Sequence, residues 1–337
     1  MRRPAAAAEE PDLIRRTEGR GAPAPRPALR AAALAASLLV PAAPLPGQQL
    51  PSTGLAVRVD GAWRTWWRAA EAPARWRAPD RMVTRAVRWH AARPGLESAR
   101  LDLSGDGVAW RVAVLLVCLD PRRFDLRLAE ATRDDDTRGA WTVDSLPAGA
   151  ALALNAGQFD AGRPWGWLVR DARELQPPGV GPLSSAFVVD TSGAARLVPP
   201  DSIPRLRGDP AVRQAFQSYP TLLTGDGEIP EPLRAESRGV DLRHRDSRLG
   251  ACELRDGRIL FALTRFAGLG EALAQLPFGP TTPEMAAVMG ALGCRRAVLL
   301  DGGLSGQLAL RRARGDVVRW DGLRAVPLAL VAFPRSR

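Results

Sequence analysis

The fifteen residues GACELRDGRILFALT, 250 to 264, constrain this chain most. Two apolar runs flank Asp256-Gly257, and that pair of residues is the signature of a tight turn between antiparallel strands. A second run, VAWRVAVLLVCLD at 108 to 120, is long, largely apolar and rich in β-branched residues, the pattern of a buried strand. Between and after these lie FDLRLAEA, which alternates like a half-buried strand, then ALALNAGQFD, WGWLVRD, SSAFVVD and AARLVPP. Each of these reads as a short strand ended by Gly, Pro, Asp or Asn. The 30 prolines and 32 glycines in 337 residues exceed a helical bundle's usage and favour a loop-rich, strand-rich fold.

One segment breaks the pattern. In TTPEMAAVMGALGC, residues 281 to 294, Thr281 and Glu284 have capping-box spacing and Pro283 suits a first helical turn. Met285, Val288, Met289 and Leu292 recur at helical spacing on one face, and Gly293 is placed to end the helix. A strand, RAVLLD, follows and delivers Asp301. The pattern predicts an α+β fold: a mixed, largely antiparallel β-sheet core with a few flanking helices. No internal repeat is present.

Length allows one or two domains at about 150 residues each. Residues 1 to 50 read as a signal peptide or a disordered segment, because AAALAASLLVPAAPLPGQQ follows an Arg-bearing stretch and Pro41 and Pro44 break it. The run is too short to span a bilayer. Export to a periplasmic or extracellular location is expected, with no transmembrane span after cleavage. Residues 51 to 107 form a Trp/Arg-rich extension holding five of the ten tryptophans. Trp63, Trp66 and Trp67 with Ala69 and Ala70 fit one or two helical turns, and such tryptophans pack a satellite layer more often than they grip sugars. Residues 108 to 337 form the main domain.

All 47 basic residues are arginine, and the formal net charge is +11. That favours anionic partners, and arginine suits forked recognition of phosphate or carboxylate oxygens. No basic helix, zinc knuckle or aromatic stacking motif points to nucleic acid. Two histidines exclude a multi-histidine metal site. Cys118, Cys252 and Cys294 lack metal-ligand spacing and lie in or beside apolar runs, which reads as buried free thiols. One disulfide with a leftover thiol is the alternative for an exported chain.

Three loops carry chemistry. Asp301 ends an apolar strand, and Gly302 and Gly303 leave room for a ligand to approach the backbone. Ser305 lies in a GLSG string that lacks the second flanking glycine and the following helix of a serine elbow, so it reads as a ligand contact or turn stabiliser rather than a nucleophile. NAGQFD ends another strand with Asn155, Gly157 and the carboxylate of Asp160. DLRHRDSR gathers Arg243, His244, Arg245, Asp246 and Arg248 before a strand, either as a solvated charge run or as a phosphate clamp with a proton-transferring histidine.

Read in order, LNAGQFD, WGWLVRD, YPTLLTGDG, HRDSRLGACELRDGRILFALT and TTPEMAAVMGALGCRRAVLLDGGLSGQ resemble the phosphodiester glycosidase family over roughly residues 110 to 335. The family's N-G-G-aromatic-F turn falls on Asn155 to Phe159, its arginine before the hairpin on Arg248, and its L-D-G-G-G-S on Leu300 to Ser305. Ala156, Gln158 and Leu304 depart from it, Leu304 standing where the family has glycine.

The resemblance implies a hydrolase that cleaves a sugar-1-phosphodiester at the glycosidic bond in an envelope or extracellular glycan. Its partner would be a phosphorylated sugar or glycan. Asp301, Asp160 and His244 would be catalytic. Asn155, Gly157, Arg245, Arg248, Gly302, Gly303 and Ser305 would bind substrate. The one cofactor the residues suggest is Ca²⁺, for which Asp301 with Asp160 offers oxygen ligands. The rivals are a non-catalytic glycan-binding or exopolysaccharide-related envelope protein of the same fold, and a different hydrolase using the same pocket.

Overall fold

Strands at 249–254 and 259–266 pair in the register that a turn at Asp256-Gly257 dictates, with Gly257 at φ +84°. The computed structural model describes residues 53–105, 110–131, 140–181, 183–234, 241–267 and 273–335. The hairpin sits at the centre of a large sheet whose spatial order is Thr221–Leu223, Cys294–Leu300, Leu249–Leu254, Ile259–Phe266, Trp110–Leu119, Leu96–Gly105, Gly54–Val59 and Ala62–Arg68, with His90–Arg93 also paired to Leu96–Gly105. The uninterrupted apolarity of Val112–Leu119, which follows the exposed Arg111, has a direct cause. Val112, Val114, Leu116 and Cys118 enter one core, and Leu115, Val117 and Leu119 enter another. Both faces of this strand are covered, so neither needs polar residues.

The first core lies under the helix Thr282–Ala291. Thr281 and Glu284 form the reciprocal capping box at its start. The expected single apolar face is only part of its contacts, because Ala286, Ala287 and Ala291 are buried as well. Gly250 on the sheet side admits Met289, whose Cε would lie 3.2 Å from a Cβ at that position. On another side, Gly290 faces the ring of Trp76, which a Cβ would approach to 2.1 Å. The helix is therefore enclosed by the sheet and by the segment that carries Trp76.

The second core joins the other face of the large sheet to two five-stranded sheets. One runs Arg173–Gln176, Leu168–Arg170, Val212–Ser218, Ser185–Asp190, Ala195–Val198; the other runs Val317–Trp320, Leu308–Arg311, Leu152–Asn155, Leu328–Pro334, Phe124–Glu130. Phe187 links the layers, stacked on Phe216 at 5.2 Å and tilted against Phe261 at 6.4 Å.

The fold differs from the expected α+β description in two ways. Every strand pairing among the described residues is antiparallel, so the sheets are not mixed. Helix is sparse: besides Thr282–Ala291, the described α-helices are the short Arg81–Ala86 and Ile203–Leu206. The protein is β-rich with one core helix.

The Trp/Arg-rich segment is also built differently. Ala62–Arg68, expected as helical turns, is a strand. Asp60 at φ +50° and Gly61 at φ +83° form a two-residue turn that folds it onto Gly54–Val59. A boundary at 107/108 falls between Leu96–Gly105 and Trp110–Leu119, which pair along their whole length. The export segment at residues 1 to 50 lies outside the described residues.

The cysteines are not three free thiols. Cys252 and Cys294 form a disulfide and Cys118 alone is reduced. Neighbouring strands pair Leu254 with Cys294 across an irregular register, and this brings the Cα atoms of Cys252 and Cys294 to 5.7 Å, within bridging range. Burial pushes the Cys118 thiol up to about 12, which makes it inert.

Candidate active site

Because Leu249 pairs with Leu300, the residues before one and after the other run side by side. Asp246-Ser247-Arg248 thus lies against Asp301-Gly302-Gly303. The Gly303 N–H donates to Ser247 O at 2.7 Å, extending the sheet into the loop. A Cβ on Gly302 would stand 2.3 Å from Ser247 O, so only glycine fits.

Asn155 clips the loop at both ends: its Nδ2 donates to Asp301 O at 2.5 Å and its Oδ1 accepts the Gln307 N–H at 2.9 Å. It is buried, and its role in this geometry is to hold Asp301 in place. The Asp301 N–H donates to Gly157 O at 2.9 Å, and Gly157 itself, at φ +68°, is packed against Gln217 O. Ser305 is buried and hydrogen-bonded to the Asp301 carboxylate.

Asp301 and Asp246 are close enough to feel each other's charge. Burial pushes the Asp301 carboxyl up to about 6; Ser305 and the Arg324 guanidinium oppose the rise, and the Asp246 charge adds to it. Asp301 Oδ2 is buried and has no hydrogen-bond partner among the described residues. Burial likewise raises Asp246, against the pull of Arg248, His244 and the Ser247 N–H. His244 Nε2 lies 3.7 Å from Asp246 Oδ2. Two carboxyls that resist ionisation, one near enough for its charge to act on the other, are suited to acid–base work.

The arginines divide. Arg248 donates from Nε to Pro280 O at 3.1 Å and from one Nη to His244 O at 2.7 Å, and its other Nη has no acceptor among the described residues. Arg245, expected as a substrate contact, points inward instead. Its two Nη atoms meet Glu284 at 2.8 and 2.9 Å, with both side chains 1% exposed. It ties the site segment to the capped start of the core helix.

Two residues were not singled out in the sequence. Asp246 stood in a charge run that gave no reason to prefer it. Arg324, in the loop after Val317–Trp320, has no motif around it. It is exposed, lies 5.0 Å over the Phe159 ring, and acts on Asp301 by its charge. Its backbone N–H donates to Leu304 O at 3.0 Å, so the two loops are joined at Leu304, whose side chain is exposed.

Among the described residues, Asp160 has no hydrogen bond or ion pair to this group. It is exposed on a two-stranded ribbon whose turn, Ala161-Gly162, carries positive φ at both residues. The charges acting on Asp301 are those of Arg324 and Asp246, not of Asp160. No cluster of three or more His, Cys, Asp or Glu occurs among the described residues.

A search of curated proteins finds no match. Among solved structures, the chain is similar to the zebrafish N-acetylglucosamine-1-phosphodiester alpha-N-acetylglucosaminidase catalytic domain auto-inhibited by its pro-peptide. The identity is 17%, the TM-score 0.56, and the match covers 74% of this chain and 88% of that one. It is also similar to a hypothetical protein from Synechocystis, at 16% identity and TM-score 0.48, covering 84% of this chain and 68% of that one. The family profile described as phosphodiester glycosidase matches residues 148–333, which takes in Asn155, Asp246, Arg248, Asp301 and Arg324. With that match running over more than half of its length, the chain belongs to the phosphodiester glycosidase family.

Proposed function

We propose that this protein hydrolyses a sugar-1-phosphodiester at the glycosidic bond, within an envelope or extracellular glycan. The observation that carries this reading is the buried Asp301 carboxyl, raised by burial, with the charges of Asp246 and the exposed Arg324 acting on it. Arg324 and the unengaged Nη of Arg248 neutralise the phosphate and stabilise its departing charge. A phosphate monoester leaves readily, so its protonation demands little. Asp301, once ionised, stabilises the oxocarbenium-like centre or takes a proton from the attacking water, while Asp246 holds the second proton of the pair and His244 relays it to solvent. Asn155, Gly157, Gly302, Gly303 and Ser305 support the loop and its backbone approach to substrate. Export is supported by the disulfide Cys252–Cys294, a bond that persists in oxidising compartments. No described helix is long and apolar enough to cross a membrane.

The test is release of free sugar from UDP-N-acetylglucosamine and from an aryl sugar phosphodiester by the full chain. Turnover is expected, and Asp301→Asn and Asp246→Asn should each lower kcat by about 10³-fold or more. No turnover on either substrate, with glycan binding unaltered by Asp301→Asn, would instead identify a glycan-binding protein.

A further inference from the structure

Along Ile259–Phe266 the residues Ile259, Phe261 and Leu263 face the core shared by the three sheets, and the next residue on that face is Arg265. A charge stands where the strand's period calls for an apolar side chain. Arg265 is 6% exposed. One Nη donates to Gly306 O at 2.5 Å, Asp321 O at 2.9 Å and Trp320 O at 3.3 Å. Its Nε and other Nη have no acceptor among the described residues. A guanidinium has five N–H donors, and carbonyls on one nitrogen leave most of them unmatched. Burial lowers Arg265 to about 10, and the one charge opposing this is Asp321.

Arg265 borders a cavity of about 570 Å³. Strand register accounts for its floor: Arg265 pairs with Ala113, and Leu115 pairs with Arg100, so these four share one sheet face. Arg100, Arg319, Gln275 and the half-buried Trp320 complete the lining that matters here. Arg100 is paired with Asp102 at 2.8 Å, and Arg319 lies 3.6 Å from the exposed Asp144. Exposed pairs of this kind hold an arginine weakly, so both can turn to a ligand. The site loop and this cavity touch through Gly306, next to Ser305, and Asp321, three residues before Arg324.

We propose that this cavity is a second binding site, for an anionic sugar: a pyranose ring bearing a carboxylate or a phosphate. Arg265 and Arg319 hold the oxyanion, Arg100 adds charge, and Trp320 offers its ring to the apolar face of the sugar. The proposal does not depend on hydrolysis at Asp301, and the two can fail separately, because the test reads binding alone.

The test titrates the full chain with glucuronate, glucose 6-phosphate and glucose, by calorimetry and tryptophan fluorescence. At least one anionic sugar should bind ten times or more tighter than glucose, and which one binds identifies the anion. The double variant Arg100→Ala/Arg319→Ala, at two exposed side chains that leave the core intact, should weaken that binding tenfold or more. Arg265→Gln should do the same if it folds. Asp301→Asn should leave the dissociation constant within twofold. Equal affinity for glucose and both anionic sugars overturns the proposal. So does binding that Asp301→Asn abolishes while Arg100→Ala/Arg319→Ala leaves it intact.

Discussion

A Cβ on Gly303 would stand 3.0 Å from Asp246 Oδ2. The loop that follows Asp301 therefore passes against the partner carboxylate, and the glycine there is part of the carboxylate pair's geometry. Gly303 also sits at φ +55°, where a side chain costs about 1–2 kcal/mol. Gly303→Ala should fold, lose about that much stability in denaturant unfolding, and lose most of its turnover because Asp246 is displaced. Gly302→Ala should be worse for folding, since its Cβ would meet the Ser247 backbone oxygen at 2.3 Å, and backbone gives way less easily than a side chain.

Asp301 links activity to stability through pH. Its carboxyl is raised from 3.8 to about 6 by burial, so the native state holds the proton more tightly than the unfolded chain. The stability from this group is fully present below pH 3.8 and is lost as pH rises through about 6. The loss at pH 8 is at most about 3 kcal/mol. Asp301→Asn removes the charge. The variant should melt above the wild type at pH 8 and show no such advantage at pH 4, while its turnover is lost at both. Equal melting shifts at the two pH values would contradict a raised Asp301.

Arg324 lowers the Asp301 pKa, and in the proposed reaction it meets the phosphate. Arg324→Ala should reduce kcat/KM for a sugar phosphodiester by about 10- to 100-fold. With the positive charge gone, Asp301 should titrate higher, so the acid limb of the pH–rate profile should move upward. Arg324→Lys should restore the position of the limb more fully than the rate, because lysine supplies charge without the fork.

Cys252 and Cys294 are 42 residues apart in sequence, and the loop they close includes the core helix. Closing a loop of that length removes about 4 kcal/mol of unfolded-chain entropy in the chain-entropy account. Cys252→Ala/Cys294→Ala, or reduction of the wild type, should lower the melting temperature by about 10 °C. The bridge joins the two strands that lead to Asp246 and Asp301, at the far end from the carboxylates. Activity at low temperature should therefore be kept.

Much of the strand pattern was legible because it is local. Asp256-Gly257 specifies its hairpin by turn geometry, Thr281 and Glu284 specify a helix start by capping, and Val112 to Leu119 announce a buried strand. The misreadings were of residues whose surroundings are distant. Trp63, Trp66 and Trp67 fit a helical turn by spacing, yet the turn at Asp60-Gly61 and the free edge of Gly54–Val59 make them a strand. Cys252 and Cys294 carry no spacing signal, since only strand pairing brings them together.

The site divides along the same line. Sequence by itself determined that Asp301 ends a buried strand on a glycine loop, that Asn155 ends one strand and Arg248 precedes another, and that the chain resembles the family it belongs to. Tertiary structure alone decided which carboxylate stands beside Asp301. Register sets Leu249 opposite Leu300, and that brings in Asp246; Asp160 remains on an exposed ribbon. It also turned Arg245 inward to Glu284 and brought Arg324 over Phe159. A side chain's chemistry is written in its own residue, but its pKa and its partners come from what other strands place beside it. Those neighbours exist only once the sheets have formed.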